Sequence, residues 1–179
     1  MDVMNFQKIS DIGISRIQTR EELRLKAYRC EAGRLTIGYG HTEGVREGDE
    51  ITEAQAIEFF KSDVGAIENH LNRLRQSVKI TFKQCEFDAL VSLIFTIGLG
   101  SFQTSTLRKK LIAKASPQDC AQEFKKWVYV TKIKVEERNG KKFKYPVKVI
   151  SNGLKNRRES EYKQFLDIGG EYERSSMVV

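Results

Sequence analysis

Three side chains in the first quarter of the chain carry groups suited to acid–base work on a water molecule. Glu21 supplies a carboxyl, Cys30 a thiol nine residues on, and Thr36 a hydroxyl six further, within the run EELRLKAYRCEAGRLTIGYGH that starts at Glu21. A neutral carboxylic acid donates a proton to a leaving group, and a hydroxyl holds a water by hydrogen bonding. A thiol with a reference pKa of about 8.5 is mostly neutral at pH 7. A nearby cation such as Arg24 or Arg29 would increase its thiolate fraction. Two further carboxylates compete on paper: Glu22, next to Glu21, as the acid, and Glu31, next to Cys30, as its partner. His41 and His70 are the only histidines and lack ligand companions, so neither a Ser-His-Asp triad nor a metal site is indicated. A structural, hydrogen-bonding role is expected for His41. Cys30, Cys85 and Cys120 match no metal-ligand spacing and read as reduced thiols, Cys85 as a small buried hydrophobe.

The elements that must position these groups follow from periodicity. Ser10 or Asp11 caps a first helix to about Glu22, on which Ile14, Ile17 and Glu21 share one face. A carboxylate that ends an apolar stripe is expected to be partly desolvated, which favours its neutral form. Two strand-like segments follow, Arg24 to Arg29 and Arg34 to Tyr39, around the turn Cys30-Glu31-Ala32-Gly33. Leu25 and Ala27 alternate with charged residues, as Leu35 and Ile37 do with Thr36 and Gly38. If the apolar sets share one face, Cys30 and Thr36 share the other.

Thr52 with Gln55 forms a capping box opening a long helix with Ile57, Phe60, Val64, Ile67, Leu71 and Leu74 in one stripe. At 1.5 Å per residue it extends about 30 Å, enough to link two lobes. Thr81 with Gln84 suggests a second box before a helix that is apolar nearly all round from Phe87 to Ile97, a central core helix ended by Gly98 and Gly100. Ser116-Pro117 starts a short helix to Trp127. Strand-like residues then flank Asn139-Gly140, a two-residue hairpin signal. Asn152-Gly153 reads as another break before a last helix from Leu154 to Leu166, and the tail from Gly169 reads as frayed.

With 179 residues, 40% hydrophobic and 31% charged, the sequence is that of an ordinary globular protein with length for a real core. No apolar run approaches the roughly 20 residues of a membrane span. MDVMNFQKISD has no apolar signal core, so the chain is expected to stay in the cytoplasm of the cell that makes it. The net charge of +7 suits an anionic partner without choosing one.

The spacing of Glu21, Cys30 and Thr36 inside LRLKAYRC and TIGYGHT resembles the catalytic region of the phage-type lysozymes, the muramidases of glycoside hydrolase family 24. Their pattern is Glu, eight residues, Asp or Cys, five residues, Thr. ITEAQA, FDALVSLIFTIG, STLRKKL and GLKNRRESEYKQFL resemble family segments in family order, so the likeness covers about Ile12 to Leu166. Glu22 departs from the pattern, which usually has Gly there. The resemblance implies an α+β, lysozyme-like fold with a cleft between lobes. The small β lobe would cover about residues 23–52 and the linking helix 53–76. The helical lobe would cover 77–168, with an inserted hairpin at 128–150. It implies hydrolysis of the β-1,4 bond between N-acetylmuramic acid and N-acetylglucosamine in peptidoglycan, with inversion; no cofactor is indicated, and a monomer is expected. Glu21 would be the acid, with Cys30 and Thr36 on the water side as base, water-holder or electrostatic stabiliser. Phe95, Ser105 and Thr106 fall where family members line the sugar cleft, and each also reads as a core or capping residue.

The segment from Val128 to Ile150 is longer than the short loop usual in related sequences. Six lysines and Arg138 outnumber Glu136 and Glu137 there. A solvated hairpin, a clamp on anionic envelope polymers and a nucleic-acid contact all fit that charge. Apart from Phe143 and Tyr145 the hairpin lacks the aromatic platforms of single-strand binding, so specific nucleic-acid recognition is not expected. The alternative to an enzyme is a basic module that kept the fold, lost catalysis, and binds wall polymer or nucleic acid.

Overall fold

A computed structural model describes residues 5–30 and 33–172. Glu31 lies outside the described residues. Helix α1 (Asp11–Arg20) opens on Ser10, whose hydroxyl accepts from the Gly13 N–H at 3.2 Å. The same residue donates its backbone N–H and hydroxyl to Asp88, which is fully buried on another helix. A Cβ on Gly13 would lie 2.8 Å from that carboxylate, so only glycine permits this approach. The helix ends one residue earlier than its apolar stripe suggests: Glu21 is the C-cap, with its N–H on the Ile17 carbonyl.

Strands β1 (Arg24–Arg29) and β2 (Leu35–Gly38) form an antiparallel pair in which Tyr28 faces Thr36 and Arg29 faces Leu35. The second strand is shorter than expected at both ends, because Gly38 and Gly40 take positive φ and turn the chain to His41. Helix α2 (Glu53–Val78) carries the expected capping box: the Thr52 hydroxyl accepts from Gln55 and the Gln55 side chain accepts from the Thr52 N–H. It packs on both β2 and helix α3 (Gln84–Ile97).

Helix α3 is the centre of the core. Phe87, Ala89, Leu90, Val91, Leu93 and Ile94 are all fully buried, as the lack of a polar face requires. Its start corrects the sequence expectation. Lys83, not Thr81, is the N-cap, and the Glu86 carboxylate at the third helical position accepts the Lys83 N–H at 2.8 Å. Gly98 ends the helix at φ 82°, but Gly100 belongs to the next one, α4 (Leu99–Thr104). Helices α5 (Thr106–Ile112) and α6 (Pro117–Gln122) follow, the latter capped by Ser116 as expected, and a 3₁₀ turn at Phe124–Lys126 closes the layer.

The hairpin forms as the sequence predicts. Strands β3 (Tyr129–Arg138) and β4 (Lys141–Ile150) pair antiparallel over their full length about Asn139-Gly140, both with positive φ. Asn152-Gly153 is not a break. Helix α7 (Asn152–Phe165) includes both, because the Ser151 hydroxyl accepts from the Leu154 N–H at 3.3 Å and caps the helix two residues earlier. Among the described residues no helix is long and apolar enough to cross a membrane.

Candidate active site

Glu21 leaves the end of α1 and its carboxylate meets Arg157 of α7, Oε1 to Nη1, at 2.6 Å. Its nearest partner is therefore a guanidinium, where the sequence suggested an apolar wall. The apolar stripe ends at Ile17, which is fully buried, and the C-cap geometry turns the Glu21 side chain off that face. The other carboxylate oxygen and the Phe95 ring edge both approach Gly40: a Cβ built there would sit 3.9 Å from each. Phe95 is held by Phe60 at 5.5 Å between ring centroids. Thus Glu21, Gly40 and Phe95 converge, with Arg157 bracing the acid from behind.

That brace belongs to a buried network. Glu161 of α7 is fully buried and accepts from Ser92 Oγ at 2.7 Å and Arg157 Nε at 3.1 Å. Arg158 Nε lies 3.0 Å from its other oxygen, and Arg20 stands 3.9 Å away. Burial pushes the Arg158 guanidinium down to about 10, the Glu161 charge opposing that shift. Sequence reading missed Arg157 and Glu161 as parts of the site. The signal was present in the i, i+3 and i, i+4 spacing of Arg157, Arg158 and Glu161, which puts both arginines and the carboxylate on one side of a helix.

On the β side, one carbonyl ties the Cys30 backbone to the Thr36 side chain. The Arg34 carbonyl accepts both the Cys30 N–H at 2.9 Å and the Thr36 hydroxyl at 3.1 Å. Thr36 is nearly fully buried, while Cys30 is half-exposed at the turn. Tyr28 pairs across from Thr36. Burial raises its phenol, Arg24 opposes that, and the nearby Cys30, Glu21 and Glu22 add to the rise.

Glu22 and the two arginines proposed to tune Cys30 are engaged elsewhere. Arg24 pairs with the exposed Glu22 at 2.7 Å and stacks on Tyr28, and Arg29 pairs with Glu47 at 3.0 Å. His41 has both ring nitrogens on oxygens, Asp63 at 2.9 Å and the Glu43 carbonyl at 2.9 Å, and stacks on Phe59. It ties the turn after β2 to α2, a structural role. Ser105 caps α5, accepting from Arg108 N–H at 3.1 Å and donating to the Phe102 carbonyl at 2.7 Å. Its hydroxyl is thus committed to the backbone, and the neighbouring Thr106 is exposed in the first turn. A cavity of about 550 Å³ opens beside Arg157, lined also by Arg20, Leu154 and Val130 at the foot of the hairpin. Among the described residues no group of three or more His, Cys, Asp or Glu side chains converges as a metal site.

The phage lysozyme family model matches residues 18–161, a span that runs from α1 through Glu161. The chain belongs to the phage lysozyme family. The endolysin of Acyrthosiphon pisum secondary endosymbiont phage 1 is 41% identical over 157 residues, covering 88% of this chain and 97% of that protein. Among solved structures, the endolysin from Escherichia coli O157:H7 phage FAHEc1 is 36% identical at a TM-score of 0.69, covering 91% of this chain and 96% of that one. The muramidase domain of SpmX from Asticaccaulis excentricus is 32% identical at the same TM-score, covering 89% and 98%. This phage lysozyme therefore has the α+β architecture of its family, with Glu21, Cys30, Thr36 and Phe95 all inside the matched span.

Proposed function

We propose that this lysozyme cuts the β-1,4 bond between N-acetylmuramic acid and N-acetylglucosamine with Glu21 as the proton donor. The observation that carries the assignment is the placement of the Glu21 carboxylate. It is fixed by Arg157 and borders the open glycine turn at Gly40 and the Phe95 ring, where a sugar can approach. Glu22, solvent-facing and paired with Arg24, has no such setting. Family membership supports peptidoglycan as the substrate and glycoside hydrolysis as the reaction.

In this reading a sugar ring packs on Phe95 and the acid protonates the departing glycosidic oxygen. Water enters from the β side, where Cys30 and Thr36 gather at the Arg34 carbonyl. The Thr36 hydroxyl donates to that carbonyl, so its lone pairs accept from the water and orient it. In this reading the thiol of Cys30, a half-exposed turn residue, takes up the proton or steadies the positive charge growing on the sugar. Attack from the face opposite the acid inverts the anomeric centre. Thr106 offers a hydroxyl to the outer part of the cleft; Ser105 shapes it by holding α5.

The lysozyme works as a single chain whose small β lobe and larger helical lobe are joined by α2. It is made in the cytoplasm of a phage-infected or prophage-carrying bacterium and acts on the wall after release. Its basic hairpin adds attraction to the anionic envelope. Clearing of purified bacterial walls tests the activity, and the anomeric form of the first reducing end released, read by proton NMR, tests inversion. Walls left turbid by the well-folded protein would leave the fold without its chemistry and favour the binding-module alternative.

A further inference from the structure

The hairpin formed by β3 and β4 packs chiefly on itself. Ten residues per strand at about 3.3 Å each make a ribbon roughly 30 Å long. Its register sorts the side chains onto two unlike faces, because directly opposed residues point to the same side. Tyr129 opposite Ile150, Ile133 opposite Pro146, and Val135 opposite Lys144 lie on one face. Tyr129, Ile133, Val135 and Ile150 are 56%, 61%, 51% and 58% exposed, an apolar stripe turned to solvent. Lys142, Lys144 and Lys148 share this face with one carboxylate, Glu137 opposite Lys142, and among the described residues none of the three lysines is within ion-pair distance of an acid.

The opposite face is different. There Glu136 gathers Lys134 and Arg138 at 3.0 Å each and also the Tyr145 hydroxyl, so much of its charge is neutralised internally. Val130, Tyr145, Val147 and Val149 on that side are half-buried; toward the tip Phe143 is 50% exposed, and Lys132 and Lys141 also lie on this side. A ribbon that merely kept itself soluble would put its apolar residues on the covered face and its lysines outside. This one puts four of its five exposed large apolar side chains on the outer face, with three lysines among them.

We propose that this outer face docks on an anionic lipid bilayer, with Ile133, Val135 and Ile150 entering the interface. The proposal names the partner within the envelope attraction read above and rests on that reading. The charge complementarity is direct: the lysines flank the apolar stripe, and their butyl stems let each ammonium reach headgroup phosphates while the stripe is buried. The occupant is therefore a negatively charged membrane surface, not a neutral polymer. A second copy of the chain would bring the same lysines face to face, and like charges would repel.

The test uses the full chain and vesicles containing phosphatidylglycerol, with phosphatidylcholine vesicles as the neutral control, in a co-sedimentation assay. The parent should bind the anionic vesicles and not the neutral ones. The triple variant K142Q/K144Q/K148Q should bind on the order of 100-fold more weakly at low salt, from three lost headgroup attractions. I133S/V135S should lose about tenfold or more even at physiological salt, since it removes apolar burial and no charge. Separately, V135W should be quenched by brominated lipid above the level given by Trp127 alone, and F143W, on the other face, should not. Absence of binding to anionic vesicles overturns the proposal. So does I133S/V135S binding as well as the parent, which would leave a purely electrostatic contact. Loss of sedimentation with isolated walls, or of a solution dimer, in I133S/V135S without any vesicle binding would assign the face to those partners instead. Vesicle binding needs no hydrolysis and wall clearing needs no lipid, so an inactive chain that binds vesicles and an active chain that ignores them are told apart.

Discussion

Replacing Arg157 by Gln should weaken both the fold and the catalyst, by amounts the network sets. The guanidinium makes hydrogen bonds to two carboxylates, Glu21 at 2.6 Å and Glu161 at 3.1 Å, and a longer one to the Ser92 carbonyl at 3.4 Å. Glu21 is about one quarter exposed, so its bond is screened and contributes about 1 kcal/mol. Glu161 is fully buried, and its bond to a charged partner contributes about 2 kcal/mol. The Glu161 carboxylate keeps Ser92 and Arg158, so it is not left bare, and the sum of about 3 kcal/mol stands as an upper range. For a chain of this size the melting point should fall by roughly 6–12 °C, which scanning calorimetry resolves easily. R157K, whose ammonium reaches one carboxylate but not both, should fall between. In wall clearing, kcat should drop by about 10²-fold, since a displaced acid loses its alignment, while KM holds. A double-mutant cycle with Glu21→Gln should give a coupling of about 1 kcal/mol in stability. An R157Q protein that melts within about 2 °C of the parent and retains its kcat would mean that Arg157 neither supports nor aims the acid.

Three further outcomes follow from the same geometry. Glu21→Gln keeps size but removes the proton, so wall clearing should fall by about 10²–10⁴, whereas Glu22→Gln should cost little; the reverse order would move the acid to Glu22. Cys30→Asp should preserve much of the activity and Cys30→Ala should lose most of it; full activity in the alanine variant would make the thiol a bystander. Burial alone would raise the Glu123 carboxyl, but Lys110 at 2.6 Å and Lys126 at 2.7 Å outweigh it and hold it below the usual range. The stability this pair of contacts gives is present above the unfolded-state value of about 4.5 and lost as pH falls through the lower folded value. Glu123→Gln should therefore cost melting temperature at pH 6 and progressively less below pH 4; an equal loss at both would remove the charge from the account.

Much of the fold was legible because it rests on local rules. The Thr52–Gln55 box, the all-apolar α3, Ser116-Pro117 and the Asn139-Gly140 turn each carry their own stereochemistry, and each formed where it was read. The misreadings share a cause. Thr81 lost the cap to a Lys83 amide because the accepting carboxylate, Glu86, sits three residues inside the helix. Asn152-Gly153 joined α7 because Ser151 caps it, a preference that outweighs one glycine. The site was legible as residue types and spacing, but not as partners. Arg157 is 136 positions from Glu21, and no local pattern announces which arginine an acid will meet.

The position of the ribbon explains how the chain carries so long a hairpin without disturbing that partnership. Its foot is closed by the Ser151 N–H on the Val128 carbonyl at 2.8 Å, immediately beyond the last strand pair. Ser151 then caps α7, the helix that bears Arg157, Arg158 and Glu161. Chain enters and leaves the ribbon at one point, so lengthening it adds ladder bonds at the far end and leaves the cap unchanged. The cost of closing a longer excursion grows only slowly with length, and a two-residue turn with both φ positive closes this one tightly. Substitutions on the outer face of the ribbon therefore leave the contacts of Glu21 and Arg157 untouched. The proposed docking face can thus be varied in experiment without moving the Glu21–Arg157 pair.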